Sequence, residues 1–156
     1  MKTIIFSDSH KNFVPMQKAI EAEGNVSHII HAGDVQSDVE DLEIAYPRLP
    51  IAAVKGNNDW FAPNVPDDRV FELGGVRIFL THGHNYGVKY STQKLLQKAK
   101  GESARIAIFG HTHIPLCEEF DGIVLFNPGA ATKGYGVLEA ADGKFRLSYK
   151  KLPDSF

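Results

Sequence analysis

Cysteine is almost missing from this chain: one residue, Cys117, among 156. A single thiol forms no internal disulfide, and no CxxC pair exists, so a disulfide framework is excluded and the composition suits a reducing cytoplasm. Charge of one sign is lacking too. The formal net charge is −2, so no basic field invites nucleic acid or a membrane surface. No apolar run approaches the length of a membrane span. Met1 to Ser7 carries one lysine and a short apolar run, then meets Asp8-Ser9-His10 with no small-residue cleavage site, so no signal peptide is expected. No repeat, low-complexity segment or linker divides the sequence. A single domain over residues 1–156 is expected, large enough to bury ~70% of its unfolded surface.

What is present is an alternation of short apolar runs with amphipathic stretches. Thr3–Phe6, His28–Ile30, Ile51–Val54 and Ile106–Phe109 read as buried strands. Val14–Glu23 reads as a helix ending near Gly24, Val39–Tyr46 as a short helix stopping before Pro47, and Ser91–Lys100 as a helix closed by Gly101. Gly74-Gly75, Asp121-Gly122 and Asp142-Gly143 mark three hairpin turns. Strand–helix alternation early and hairpins late predict a mixed α/β domain, with a second sheet packed on the first and helices outside. Cys117 falls on a predicted strand as a small packing residue, and Lys94, Lys98 and Lys100 form the solvated face of the late helix.

Six of the apolar strands run directly into polar clusters: Ser7-Asp8-Ser9-His10, His31-Ala32-Gly33-Asp34, Lys55-Gly56-Asn57-Asn58-Asp59, Thr81-His82-Gly83-His84, Gly110-His111-Thr112-His113 and Asn127-Pro128-Gly129-Ala130. Ligand sites in open α/β sheets lie beyond the carboxyl ends of strands, so strands sharing one edge would bring all six clusters together. Oxygen and imidazole donors without thiolate suit manganese, iron or zinc. Asp8 and His10 are two apart, so in extended chain both side chains leave on the same side; His111 and His113 repeat the spacing. Asp8, His10, Asp34, Asn57, His82, His111 and His113 are too many for one tetrahedral ion and suit a pair, with the two-oxygen carboxylate of Asp34 as bridge. Two divalent ions bring about +4 against two carboxylates, a net positive site for an anionic phosphate ester, and lower the pKa of bound water toward ~7.

Taken together, the first five clusters resemble the calcineurin-like metallophosphoesterase superfamily, and the short chain with Asn127-Pro128-Gly129 resembles its small bacterial and archaeal phosphodiesterase branch. The resemblance implies a four-layer α/β/β/α sandwich of two mixed sheets with helices outside. It implies Asp8, His10 and His113 on one metal, Asn57, His82 and His111 on the other, and Asp34 bridging. Manganese is the usual activating ion it implies, with iron, nickel or zinc left open. The implied reaction is attack of a metal-bridging hydroxide on a phosphate ester, a diester in the sense of the branch it resembles.

The chain departs from the family pattern at three positions. Asn58 stands where histidine often binds phosphate and protonates the leaving group; an amide donates a hydrogen bond but supplies no proton. Lys11 replaces a frequent glycine and Ala130 a frequent serine. Asn58 is thus a candidate for phosphate contact, His84 a candidate catalytic or supporting histidine, and Asn127 and Gly129 candidates to present backbone groups to substrate or else simply to end a strand in a turn; Asp59 either orients a ligand or caps a turn. His28 and His31 carry no motif. Three functions remain: a phosphodiesterase acting on a small phosphate ester, a phosphomonoesterase on the same site, or a non-catalytic interaction scaffold of the kind the phosphoesterase-like retromer subunit represents. Homo-oligomerisation is left open.

Overall fold

The computed structural model describes residues 1–59 and 64–152. Chain order is β1 (Lys2–Phe6), α1 (Phe13–Glu23), β2 (His28–His31), α2 (Gln36–Ala45), β3 (Ile51–Ala53), β4 (Asp68–Leu73), β5 (Val76–Thr81), a 3-10 turn (His84–Tyr86), α3 (Gln93–Gly101), β6 (Ile106–Ile108), β7 (Leu116–Phe120), β8 (Ile123–Asn127), β9 (Gly134–Ala141) and β10 (Lys144–Lys151). Two mixed five-stranded sheets result, ordered β10-β9-β1-β2-β3 and β4-β5-β6-β8-β7. Strands β1, β2 and β3 run parallel in the first, and β5, β6 and β8 in the second. The three hairpins form at the expected turns, joining β4 to β5, β7 to β8 and β9 to β10.

The apolar runs carry side chains to both faces because each sheet is covered on both sides. In β1, Ile5 faces the second sheet while Ile4 and Phe6 face α1 and α2. In β5, Ile78 and Leu80 enter the space between sheets while Phe79 turns toward α3; Ile106, Ile108 and Ala107 divide in the same way. Three apolar layers therefore hold four layers of structure together. Each fully buried large side chain contributes roughly 1.5–3 kcal/mol of hydrophobic free energy.

One condition is met in another way, and two readings need correction. The six strands do not share one edge: three belong to each sheet, and their carboxyl ends meet across the sandwich. Helix α2 starts at Gln36, three residues earlier than expected, because its first N–H is taken by a carboxylate distant in sequence, Asp59 Oδ1 at 2.7 Å. Cys117 is exposed on the edge strand β7 rather than packed.

Candidate metal centre

Beyond β1, β2 and β6 the backbone enters the left-handed region. Asp8, His10, Asp34, His111 and His113 have φ values of 53°, 44°, 54°, 70° and 62°. The left-handed region costs a non-glycine residue about 1–2 kcal/mol, and such strain concentrates at functional sites. Asp8 and His10 are therefore not neighbours on an extended strand, as their spacing suggested. β1 ends at Phe6, and both residues sit in a turn that brings His10 Nε2 to 3.8 Å from Asp8 Oδ1. Close approach is allowed by glycine. A Cβ on Gly56 would overlap the Asp34 carboxylate, and one on Gly110 would overlap Ser7 Oγ and crowd Asp8.

The donors fall into two sets. In the first, His113 Nε2 lies 3.2 Å from Asp8 Oδ1, and the Nε2 atoms of His10 and His113 are 3.4 Å apart. In the second, His82 Nε2 lies 3.7 Å from Asp8 Oδ1, 3.5 Å from Asp34 Oδ2 and 3.0 Å from Asn57 Oδ1. Asp8 Oδ1 belongs to both. Its sister oxygen receives the Ser7 hydroxyl at 2.6 Å and the His111 main-chain N–H at 3.0 Å, whereas Oδ1 is buried with no hydrogen-bond donor. A buried carboxylate oxygen left without a partner is unfavourable.

The histidine protons sharpen this. His82 Nδ1 is 2.7 Å from the Ala32 carbonyl oxygen and must donate to it. In the neutral ring Nε2 then bears a lone pair, aimed at oxygens that bear lone pairs themselves. Converging acceptors with nothing to accept from are the donor set of a cation, and the remote N–H bond to a carbonyl is how metal-binding imidazoles are commonly oriented. Burial, with His82 and then Lys89 adding to it, pushes the His111 imidazole below its ordinary pKa; burial and then His82 do the same to His84. Both favour the neutral ring that a cation needs.

The remaining candidates are placed as follows. The His111 ring lies edge-on to His82, centroids 5.1 Å apart, and joins neither tight donor set. His84 stands 5.5 Å from His82 and 6.1 Å from His111, with Nδ1 buried and unbonded. Asn58 binds Asp34 twice, through its main-chain N–H to Oδ1 at 3.1 Å and through Nδ2 to Oδ2 at 3.0 Å. Asn127 is fully buried and its amide is engaged internally: Nδ2 donates to Gly110 O and to Thr112 Oγ1, and Oδ1 accepts from Gly129 N. That leaves no exposed side-chain surface on Asn127 for a substrate, and Gly129 is buried beside it. Asn127 instead fastens the turn that carries His111 and His113. Asp59 both caps α2 and accepts from the Asp34 and Gly56 N–H groups.

Sequence reasoning passed over a supporting network. His31 is fully buried; its Nδ1 accepts from Gly33 N at 3.1 Å, so Nε2 carries the proton and donates to Ser9 Oγ at 2.9 Å. Ser9 Oγ donates to Asp38 Oδ2 at 2.6 Å, which also accepts from Lys11 N at 2.8 Å. The chain ties the turn holding Asp8 and His10 to that holding Asp34. Nothing local distinguishes Asp38 from a solvated helix acid; its burial follows from α2 starting early.

Residues 1–141 match the calcineurin-like phosphoesterase superfamily domain. The chain belongs to that family. A protein of Bacillus subtilis named probable metallophosphoesterase is 35% identical, the match covering 88% of this chain and 83% of that one. A Methanocaldococcus jannaschii protein named as a phosphodiesterase is 32% identical over 94% of this chain and 97% of its own. Among solved structures, a Streptococcus pneumoniae protein described as a predicted phosphoesterase superposes with TM-score 0.79 at 30% identity, covering 96% of this chain and 88% of that chain. A zinc-complexed Vps29 of Entamoeba histolytica superposes with TM-score 0.83 at 21% identity, covering 100% and 95%, and shares the fold. The superfamily membership fixes the broad class as metallophosphoesterase. Among the described residues no helix is long and apolar enough to cross a membrane.

Proposed function

We propose that this chain is a cytoplasmic, two-metal-dependent phosphodiesterase acting on a small phosphate ester, with manganese as its working ion. The observation that carries the reading is the buried, donorless Oδ1 of Asp8 lying where two sets of lone pairs meet. The name of the Methanocaldococcus relative favours a diester over a monoester.

In this reading Asp8, His10 and His113 hold one cation, His82, Asn57 and His111 the other, and Asp34 is shared. A cation pair there would neutralise phosphoryl oxygens and lower the pKa of water toward ~7. The chain's own residues do the rest. The Ala32 carbonyl keeps His82 Nε2 free of a proton. Ser7 and the His111 N–H hold Asp8 by one oxygen so that the other stays aimed inward. Asn58, exposed at the rim beside Asp34, keeps the second N–H of its Nδ2 for an anionic oxygen but has no proton for a leaving group. Departure of an alkoxide then suffers, whereas an aryloxide, a stable anion, needs little help.

The test is chelation, verified by elemental analysis, followed by reloading with single divalent ions and assay on an activated aryl diester and the matching monoester. Manganese should restore the highest diester rate. Full activity in protein shown to be metal-free would overturn the reading, and a faster monoester would transfer it to phosphomonoesterase chemistry.

A further inference from the structure

A concavity of about 410 Å³ opens beside the His111–His113 turn, on the α3 side of the second sheet. Val88 and Phe109, both almost fully buried, form its floor; Ile114, Pro115 and Leu116 form one wall. Its lining residues flank, along the chain, the histidines of the metal centre. Phe109 immediately precedes Gly110-His111, and Thr112, another lining residue, lies between His111 and His113. Val88 is packed against Gly83, between His82 and His84, with no room there for a Cβ. Pro115 is braced in the same way by Gly129. Ile114 at the mouth is 68% exposed, which burial in a core does not explain. One cation borders the opening: Lys89 lines it and is close enough to His111 for its charge to act on that ring.

Resting on the phosphoesterase reading above, we propose that this pocket is the specificity subsite for one organic arm of the diester, and that the substrate class is a phosphodiester bearing an apolar, ring-sized arm. The apolar floor and wall are rigid, since two glycine contacts and the Asn127 bond to Thr112 hold them. Lys89 favours a molecule that is anionic at one end, which separates such an ester from a neutral apolar compound. Burying roughly 60 Å² of ring surface at the usual hydrophobic value corresponds to about tenfold in affinity.

The experiment compares binding of methyl phosphate, phenyl phosphate and 1-naphthyl phosphate by methyl-detected NMR and titration, on metal-free protein and again after manganese-independent loading with zinc for NMR. Expected are a rise of about tenfold from methyl to naphthyl and shifts at the Val88, Ile114 and Leu116 methyls. Thr92→Trp, which fills the pocket from a helix-cap position whose side chain makes no capping bond, should bring naphthyl phosphate down to the affinity of methyl phosphate. Leu116→Ser removes wall instead of filling space and should do the same, so a folding failure in one variant leaves the other as test. Equal affinity for all three esters, or shifts elsewhere, overturns the proposal. Shifts at the same methyls on concentrating ligand-free protein overturn it in favour of self-association. If ring preference appears while no ester is hydrolysed by reloaded protein, the pocket stands and the phosphodiesterase reading falls.

Discussion

Lowering the pH from 7.5 to 4.5 should weaken the metal-free fold through one residue, His31. Burial pushes its imidazole down to about 4 from an ordinary 6.5, against the partial opposition of Asp38, Asp8 and Asp59. The geometry gives the same direction, because Nδ1 already accepts the Gly33 N–H and a proton placed there would face another. The folded pKa is depressed, so the contribution is complete above the unfolded value near 6.5 and is lost as pH falls toward 4. At pH 4.5 the unfolded chain is protonated and the folded one largely is not, which amounts to about 2.5 kcal/mol. Urea unfolding of chelated wild-type and His31→Gln proteins at both pH values isolates the effect. The variant should be less stable at pH 7.5, and its deficit should shrink by about 2.5 kcal/mol at pH 4.5. A deficit that stays constant across the two pH values would refute a buried neutral His31.

Asp34→Asn should lower metal content at both positions and Asp8→Asn mainly at one, by elemental analysis; the reverse ranking would give the shared role to Asp8, whose Oδ1 lies near both donor sets. Asn58→His should raise alkyl diester hydrolysis far more than aryl, up to the ~10²–10⁴ typical of a general acid; in wild type, a rate independent of leaving-group pKa with chemistry limiting would show that another group, His84 first, supplies the proton. Asn127→Ala should destabilise by about 1–3 kcal/mol in thermal or urea unfolding, since it strips the buried Gly129 N–H of its acceptor and removes one donor each from Gly110 O and Thr112 Oγ1; an unchanged midpoint would show that the turn holds itself.

The strands, all three helices and all three hairpins can be read from the chain, because apolar period and Asp-Gly or Gly-Gly turns are local signals. The division of six parallel strands between two sheets cannot, since Ile4-Ile5-Phe6 and Ile78-Phe79-Leu80 look alike when both faces of each sheet are covered. The polar clusters named the right neighbourhood, yet the assumed extended path from Asp8 to His10 was wrong: a left-handed backbone at aspartate or histidine has no sequence mark as plain as glycine's. Asp59 and Asp38 act across distances of more than twenty residues, on Gln36 and Ser9, and only the folded chain reveals those partners.

The two sheets contribute different halves of the donor set. Asp8, His10 and Asp34 follow strands of the first, and His82, His111 and His113 follow strands of the second. A cation gripped by Asp8 and His113, or by Asp34 and His82, would therefore be a staple through the sandwich, joining segments 105 or 48 positions apart. In a chain with one cysteine, it would do the work of a cross-link that oxidation cannot supply. At a free concentration one hundred times its Kd, such an ion adds about 2.7 kcal/mol to the folded state. Proteolysis of the stripped protein should begin by parting the sheets at this rim, and the native metal would set how long the chain survives as well as what it hydrolyses.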